Sequence, residues 1–207
     1  MLHAPKRPVP VFPLPGVVLF PHAVLPVHIF EMRHRTMVRD ALSGERQIVM
    51  TLLRPGRERD DPDSPDFYPT GCLARFEDVE WLPNDCYDLR LLGLARAQVG
   101  PVVREYPYRT ARVELLPQEP YSEDDPLVQS ERHVMLELFR GLGGEGEAGG
   151  ALPYEALVNS VCMAVPADPL EKLQLLGLDS VLERGRRACE LARRPKDEPR
   201  AGDGERN

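Results

Sequence analysis

The chain has 207 residues, enough for one large domain or two small ones, each able to bury a core. A formal charge of −7 and a pI near 5.3 argue against a surface built to neutralise a nucleic-acid backbone, which needs a basic face. Cys72, Cys86, Cys162 and Cys189 show no CxxC spacing and no histidines at zinc-ligand intervals, so no structural metal or other cofactor is expected, and unpaired thiols suit a reducing cytosol.

The first element is the apolar stretch from Val11 to Phe30, broken by Pro13, Pro15, Pro21 and Pro26. Each proline removes a backbone donor and disfavours the α region for its predecessor, so this segment is expected to run extended. The same prolines interrupt the run before it could serve as a signal-peptide core, and no segment reaches the roughly 18 apolar residues of a membrane span. A soluble cytoplasmic protein is expected.

Glu31 to Ser43 reads as a short amphipathic helix, with Phe30, His34, Met37, Val38, Ala41 and Leu42 at helical spacing and Gly44 as its stop. Gln47 to Leu53 fits a strand buried on both faces. Arg54 to Asp66 holds charges, prolines and a glycine, and reads as a solvated loop. Thr70 to Leu82 and Cys86 to Val99 predict a hairpin turning at Pro83-Asn84-Asp85. In that register Leu82 lies near Cys86 and Cys72 near Arg96, too far apart for a Cys72–Cys86 bridge. Gly93 suggests a bulge that curls the sheet. Arg109 to Leu116 is a further strand, with Ala111, Val113 and Leu115 on one face.

The period then changes. Asp125-Pro126 pairs an N-cap with proline at the first helical position, and a helix follows to about Arg140. Leu142 to Gly150 reads as a linker, and Pro153 to Val165 as a second helix. Asp168-Pro169-Leu170-Glu171 and Ser180-Val181-Leu182-Glu183 each spell a capping box, giving two more helices that end near Arg193. Residues 1–122 are thus expected to form a β-rich unit, 123–194 a helical one, and 195–207 a disordered tail.

No motif in this chain carries chemistry. Gly141 to Gly146 spells GxGxxG, but it follows a predicted helix where a dinucleotide site needs a preceding strand, so it reads as linker. There is no phosphate-binding GxxxxGK[ST] and no GxSxG elbow. His22, His28 and His34 are six residues apart but fall on an extended segment and on a helix face, which makes a shared metal improbable. Lys172, inside a helix, reads as an exposed residue and not as part of a serine-lysine dyad. Asp60-Asp61 and Glu123-Asp124-Asp125 read as solvated loop and helix cap.

Four stretches bear a likeness in order and spacing. They are the proline-punctuated entry with His28-Ile29-Phe30-Glu31, Phe67-Tyr68-Pro69-Thr70-Gly71-Cys72-Leu73-Ala74-Arg75, Leu91-Leu92-Gly93-Leu94-Ala95-Arg96, and Tyr106 to Leu116. The leucine-rich Asp168 to Arg184 continues the pattern. Together, from about Val9 to Ala192, they resemble the Lon protease N-terminal, substrate-binding domain. The resemblance implies an α+β fold, a PUA-like curled β-sheet or barrel followed by a C-terminal helical bundle. It also implies a non-catalytic recognition role for unfolded or degron-bearing polypeptide, or for a protease or other protein partner, with no membrane involvement. A full Lon protease continues into an ATPase and a serine-lysine peptidase, so the chain resembles a free-standing member for which degradation is not its own activity. On this reading the candidate peptide-binding residues are Phe12, Leu14, Phe20, Glu31, Arg33 and Arg35. RNA binding is the alternative, because PUA-like sheets elsewhere contact RNA; it would use Arg75, Arg90, Arg96, Arg109 and Arg112, and the acidic balance weighs against it.

Overall fold

The computed structural model describes residues 3–56, 67–83, 85–144 and 151–194. The chain divides into two units, Met1–Leu116 and Pro117–Asn207. Residues 57–66 of the predicted Arg54–Asp66 loop, part of the linker and the C-terminal tail lie outside the described residues.

Alternating apolar residues dictate the first unit. Its strands are β1 (Val9–Leu14), β2 (Val24–Ile29), β3 (Gln47–Leu53), β4 (Phe67–Trp81), β5 (Tyr87–Arg104) and β6 (Thr110–Leu115), with helix α1 (Met32–Leu42) between β2 and β3. The sheet order is β2-β5-β4-β3-β1-β6, and β6 pairs back onto β5. Five strands therefore close into a ring, while β2 stays outside it on the first half of β5. Among the described strand pairs only β1 and β3 run parallel, a pairing that requires a crossover, supplied here by the segment holding β2 and α1.

Two cores result. Val9 and Val11 of β1, Val49 of β3, Leu73 of β4, Ala97 and Val99 of β5, and Ala111 and Val113 of β6 pack together, so every ring strand lines this barrel interior. The opposite faces of β1, β3, β4 and β5 bury Phe12, Ile48, Met50, Cys72 and Leu91 with Ile29 of β2 and with Met37, Val38 and Ala41 of α1. β3 contributes to both, which explains its unbroken burial from Ile48 to Leu52.

The entry segment departs from a single extended run. β1 and β2 are separated by turns at Gly16 (φ 73°) and His22 (φ 66°), and they pair with different strands. Proline placement explains this division. Pro13 lies past the stretch of β1 that pairs with β6, and Pro26 lies in β2, whose one partner among the described strands is β5; each is a position at a sheet edge where a missing donor is tolerated.

Gly93 marks a close approach. A Cβ there would sit 2.1 Å from the Phe20 carbonyl oxygen. Beside it, the pairing shifts from Leu73–Ala95 to Ala74–Gly93, leaving Leu94 as the extra residue of a bulge. The hairpin register is the one anticipated, with Cys72 opposite Arg96 and the Leu82 amide donating to the Cys86 carbonyl at 2.9 Å. The cysteines are unpaired thiols.

The second unit contains α2 (Pro126–Gly141), α3 (Tyr154–Ala164), α4 (Pro169–Gly177) and α5 (Val181–Ala192). Local side-chain bonds start α2, α4 and α5: the Asp125 carboxylate accepts from the Leu127 amide at 2.8 Å, Glu171 accepts from the Asp168 amide at 3.1 Å, and Ser180 accepts from the Glu183 amide at 3.4 Å. α3 is the central helix, with Tyr154, Leu157, Val158, Val161 and Cys162 buried. Arg184 of α5 is also fully buried and donates to the Asn159 side chain at 2.8 Å and the Leu178 carbonyl at 2.7 Å. Lys172 is half-buried, not exposed as anticipated. Its ammonium donates to the Met163 carbonyl at 2.6 Å, and burial pushes its pKa down.

Candidate functional site

At one end of the first unit, β2, β5 and β4 finish side by side. Ile29 pairs with Tyr87, and Tyr87 pairs with Trp81. In this row and just beyond it the chain exposes large apolar side chains: Trp81 at 68%, Phe30 at 63% and Met32 at 68%. The strand pattern explains Trp81. It shares the parity of Val79, which packs on the core, but stands at the outer end of a row whose other two members, Ile29 and Tyr87, are buried in that core.

Charged groups hold this end in place. Arg35, on the first turns of α1, donates to the Asp85 carboxylate at 2.7 Å and to the Asp85 carbonyl at 3.1 Å. The same carboxylate accepts from the Trp81 indole N–H at 3.3 Å, and Arg35 lies 3.4 Å from the Met32 sulfur. Met32, Arg35, Asp85 and Trp81 thus form one connected cluster joining a helix start to a hairpin turn. Asp85 takes φ 58°, a left-handed turn conformation that aspartate tolerates better than most residues. Glu31 sits beside them, accepting from Arg33 at 3.0 Å and lying 3.6 Å from His34.

The arrangement offers apolar area next to fixed charges and no reactive constellation. Cys72 and Cys162 are buried thiols whose pKa values burial pushes up to about 12, so neither is a ready thiolate. His28 bonds Asp88 at 2.6 Å, whereas the His34 ring packs edge-on against Phe12 at 4.9 Å, so the two histidines serve different surroundings. Among the described residues no group of three or more His, Cys, Asp or Glu is placed to hold a metal ion.

Residues 8–194 match the family model of the ATP-dependent protease La (LON) substrate-binding domain. The chain belongs to that family. It is similar to a Lon protease of Syntrophomonas wolfei, 26% identical over 205 residues, covering 91% of this chain and 24% of the relative. It is also similar to Lon protease 2 of Myxococcus xanthus, 32% identical over 115 residues, covering 56% of this chain and 14% of that one. The chain thus spans about a quarter or less of these curated relatives. Among solved structures, the N-terminal domain of Mycobacterium avium complex Lon protease shares its fold, with a TM-score of 0.68 at 18% identity over 90% of this chain and 98% of that one. A Lon N-terminal domain protein from Xanthomonas campestris gives a TM-score of 0.66 at 22% identity, over 91% and 99%.

Within this Lon-type domain, the residues picked from sequence divide into two groups. Glu31, Arg33 and Arg35 come together at the exposed end, and Leu14 is half-buried elsewhere against the α1-covered core. Phe12 and Phe20 are buried, at 1% and 0% exposure, and offer no accessible surface. Their burial has separate causes: Phe12 lies on the sheet face that packs with Leu19 and the α1 residues Met37 and Val38, and Phe20 sits in the segment between β1 and β2 whose backbone closes against Gly93. Of the arginines picked for RNA, Arg96 is buried, Arg109 is held by Glu105 at 2.8 Å, Arg112 is exposed on β6, and Arg75 and Arg90 share a concavity on β4 and β5. They do not form one groove.

Sequence reasoning missed Met32, Trp81 and the pinning role of Asp85. One signal was present: the chain's single tryptophan stands directly before the turn Leu82-Pro83-Asn84-Asp85, where a buried role is hard to arrange.

Proposed function

We propose that this Lon-type domain is a non-catalytic recognition module that binds exposed apolar segments of unfolded or degron-bearing polypeptide at the Phe30–Met32–Trp81 end, for a protease or another protein partner. One observation carries the reading: three large apolar side chains more than half exposed at one end of a small barrel, beside charges fixed by Arg35 and Asp85. Soluble domains usually cover such area unless it is used. Burying it against an extended segment releases about 25 cal/mol per Å², and tryptophan with its polar N–H is a common anchor at interfaces. Unpaired thiols agree with a reducing compartment such as the cytoplasm.

The test is fluorescence anisotropy of a labelled, permanently unfolded polypeptide titrated with the protein. Trp81→Ala and Met32→Ala are expected to weaken binding about tenfold each, and Val103→Ala, exposed elsewhere on β5, to leave it unchanged. Equal affinity in all three variants would move the site away from this end.

A further inference from the structure

The outward face of β2, β5 and β4 carries an ordered array of charge. His28, Asp88 and Glu80 are register partners across the three strands, and Pro26, Arg90 and Asp78 form the next row. Two steps further along, Arg75 pairs with Leu92. Arg46 joins it, because the Arg46 carbonyl accepts from the Phe76 amide at 3.0 Å and so fixes that residue beside β4. Two concavities of about 490 and 580 Å³ lie along this face and share Asp78 and Arg90. The first is rich in carboxylates, with Asp78, Glu80 and Asp88 beside His28 and Arg90; the second is rich in guanidinium groups, with Arg46, Arg75 and Arg90 beside Asp78 and Glu77, the latter 3.8 Å from Arg75.

Asp78, Glu80, Arg46 and Arg90 make no ion pair with a described residue, although Arg90 and Asp78 are cross-strand neighbours. Opposite charges that leave each other unbonded in one groove remain available to a ligand. The groove is also continuous with the apolar end, since the Phe30 ring stacks on His28 at 6.1 Å between centroids.

We infer that this face reads the charge pattern of the bound polypeptide, taking a basic side chain over Glu80 and Asp78 and an acidic one over Arg46 and Arg75. The inference rests on the polypeptide-binding reading and adds a sequence preference to it. The spacing follows from strand geometry. From the row at Asp88 to the level of Leu92 is four residues, about 13 Å at a strand rise of about 3.3 Å per residue. An extended ligand presents residues i and i+4 on one side over that same length, so lysine and glutamate four apart match the two ends. Charge complementarity of this kind sets register and partner choice more than raw affinity.

The experiment measures anisotropy of labelled extended peptides that share one apolar anchor. One carries Lys and Glu four apart, one carries them adjacent, and two carry only Lys or only Glu. The four-apart peptide is expected to bind about tenfold tighter than the others at low salt, an advantage that fades as salt rises. Asp78→Lys with Glu80→Lys is expected to shift the preference to the all-Glu peptide, and Arg46→Glu with Arg75→Glu to the all-Lys peptide. All four reversals are at the surface, and a thermal melt confirms that each variant folds. Equal affinity for all four peptides, with apolar binding retained, overturns this inference and leaves the binding reading standing. RNA retention that depends on Arg46 and Arg75 but ignores Asp78 and Glu80 overturns it in favour of a nucleic-acid face. Absence of binding by all four peptides, which share the apolar anchor, sinks both.

Discussion

Arg35 and Asp85 lie fifty positions apart in sequence, yet the guanidinium grips both the carboxylate and the carbonyl of the turn residue, at 2.7 and 3.1 Å. Arg35 is largely buried and Asp85 about half exposed, so this pair sits between the weak surface bridge and the costly interior one. It ties the start of α1 to the β4–β5 turn and, through the indole bond, to Trp81. Arg35→Ala is expected to cost about 1–2 kcal/mol of stability and to weaken polypeptide binding severalfold. A double-mutant cycle with Asp85→Ala checks it: the two losses should be clearly non-additive, and strict additivity would show that the contact is idle.

Gly93 is predicted to be nearly irreplaceable. The obstruction is the Phe20 backbone carbonyl at 2.1 Å, which cannot swing aside as a side chain could. Its neighbours deepen the constraint, because the Gly93 amide donates to Ala23 at 2.9 Å and its carbonyl accepts from His22 at 2.8 Å. Gly93→Ala is expected to destabilise by at least about 3 kcal/mol, whereas Gly141→Ala, at the last residue of α2 with open space around it, should be neutral or stabilise by up to about 1 kcal/mol. Urea denaturation of the two variants makes the comparison.

Arg184 organises the helical unit. Removing its side chain leaves the Asn159 and Leu178 oxygens without that donor in a buried site. Arg184→Ala is expected to cost about 3–5 kcal/mol. Arg184→Met refills much of the volume without restoring the donors; if its urea midpoint matches the wild-type value, the polar network is not what holds α3 and α5 together.

Stability should fall at alkaline pH. Cys72 and Cys162 have folded-state pKa values raised from about 9 to about 12 by burial, so their contribution is whole below pH 9 and is lost as pH climbs towards 12. In that window the unfolded chain has released protons that the native chain keeps, at a cost of order 1 kcal/mol per pH unit per thiol. Cys72→Ala and Cys162→Ala should each flatten the decline between pH 9 and 11 in denaturant titrations. An unchanged slope in both variants would remove the thiols as its source.

Much of the fold is legible in the sequence because its signals are local. The capping side chains of Asp125, Glu171 and Ser180 act on amides two or three positions away, and the Leu82–Cys86 register follows from the turn itself. The candidate site is only half legible, because exposure is a property of what covers a residue. Phe12 and Trp81 both lie on strands, yet α1 and its His34 close over Phe12 while nothing in the β4 end row covers Trp81. Similarly, the pairing of Arg35 with Asp85 depends on a helix and a hairpin that meet only after folding.

The most direct test of the central claim uses Trp81 as its own reporter, since it is the chain's single tryptophan and is 68% exposed. Titrating the protein with a tryptophan-free unfolded polypeptide should shift the emission to shorter wavelength in a saturable way, with a midpoint that matches binding by anisotropy. Binding by anisotropy with an unmoved emission maximum would contradict a polypeptide site at the Phe30–Met32–Trp81 end.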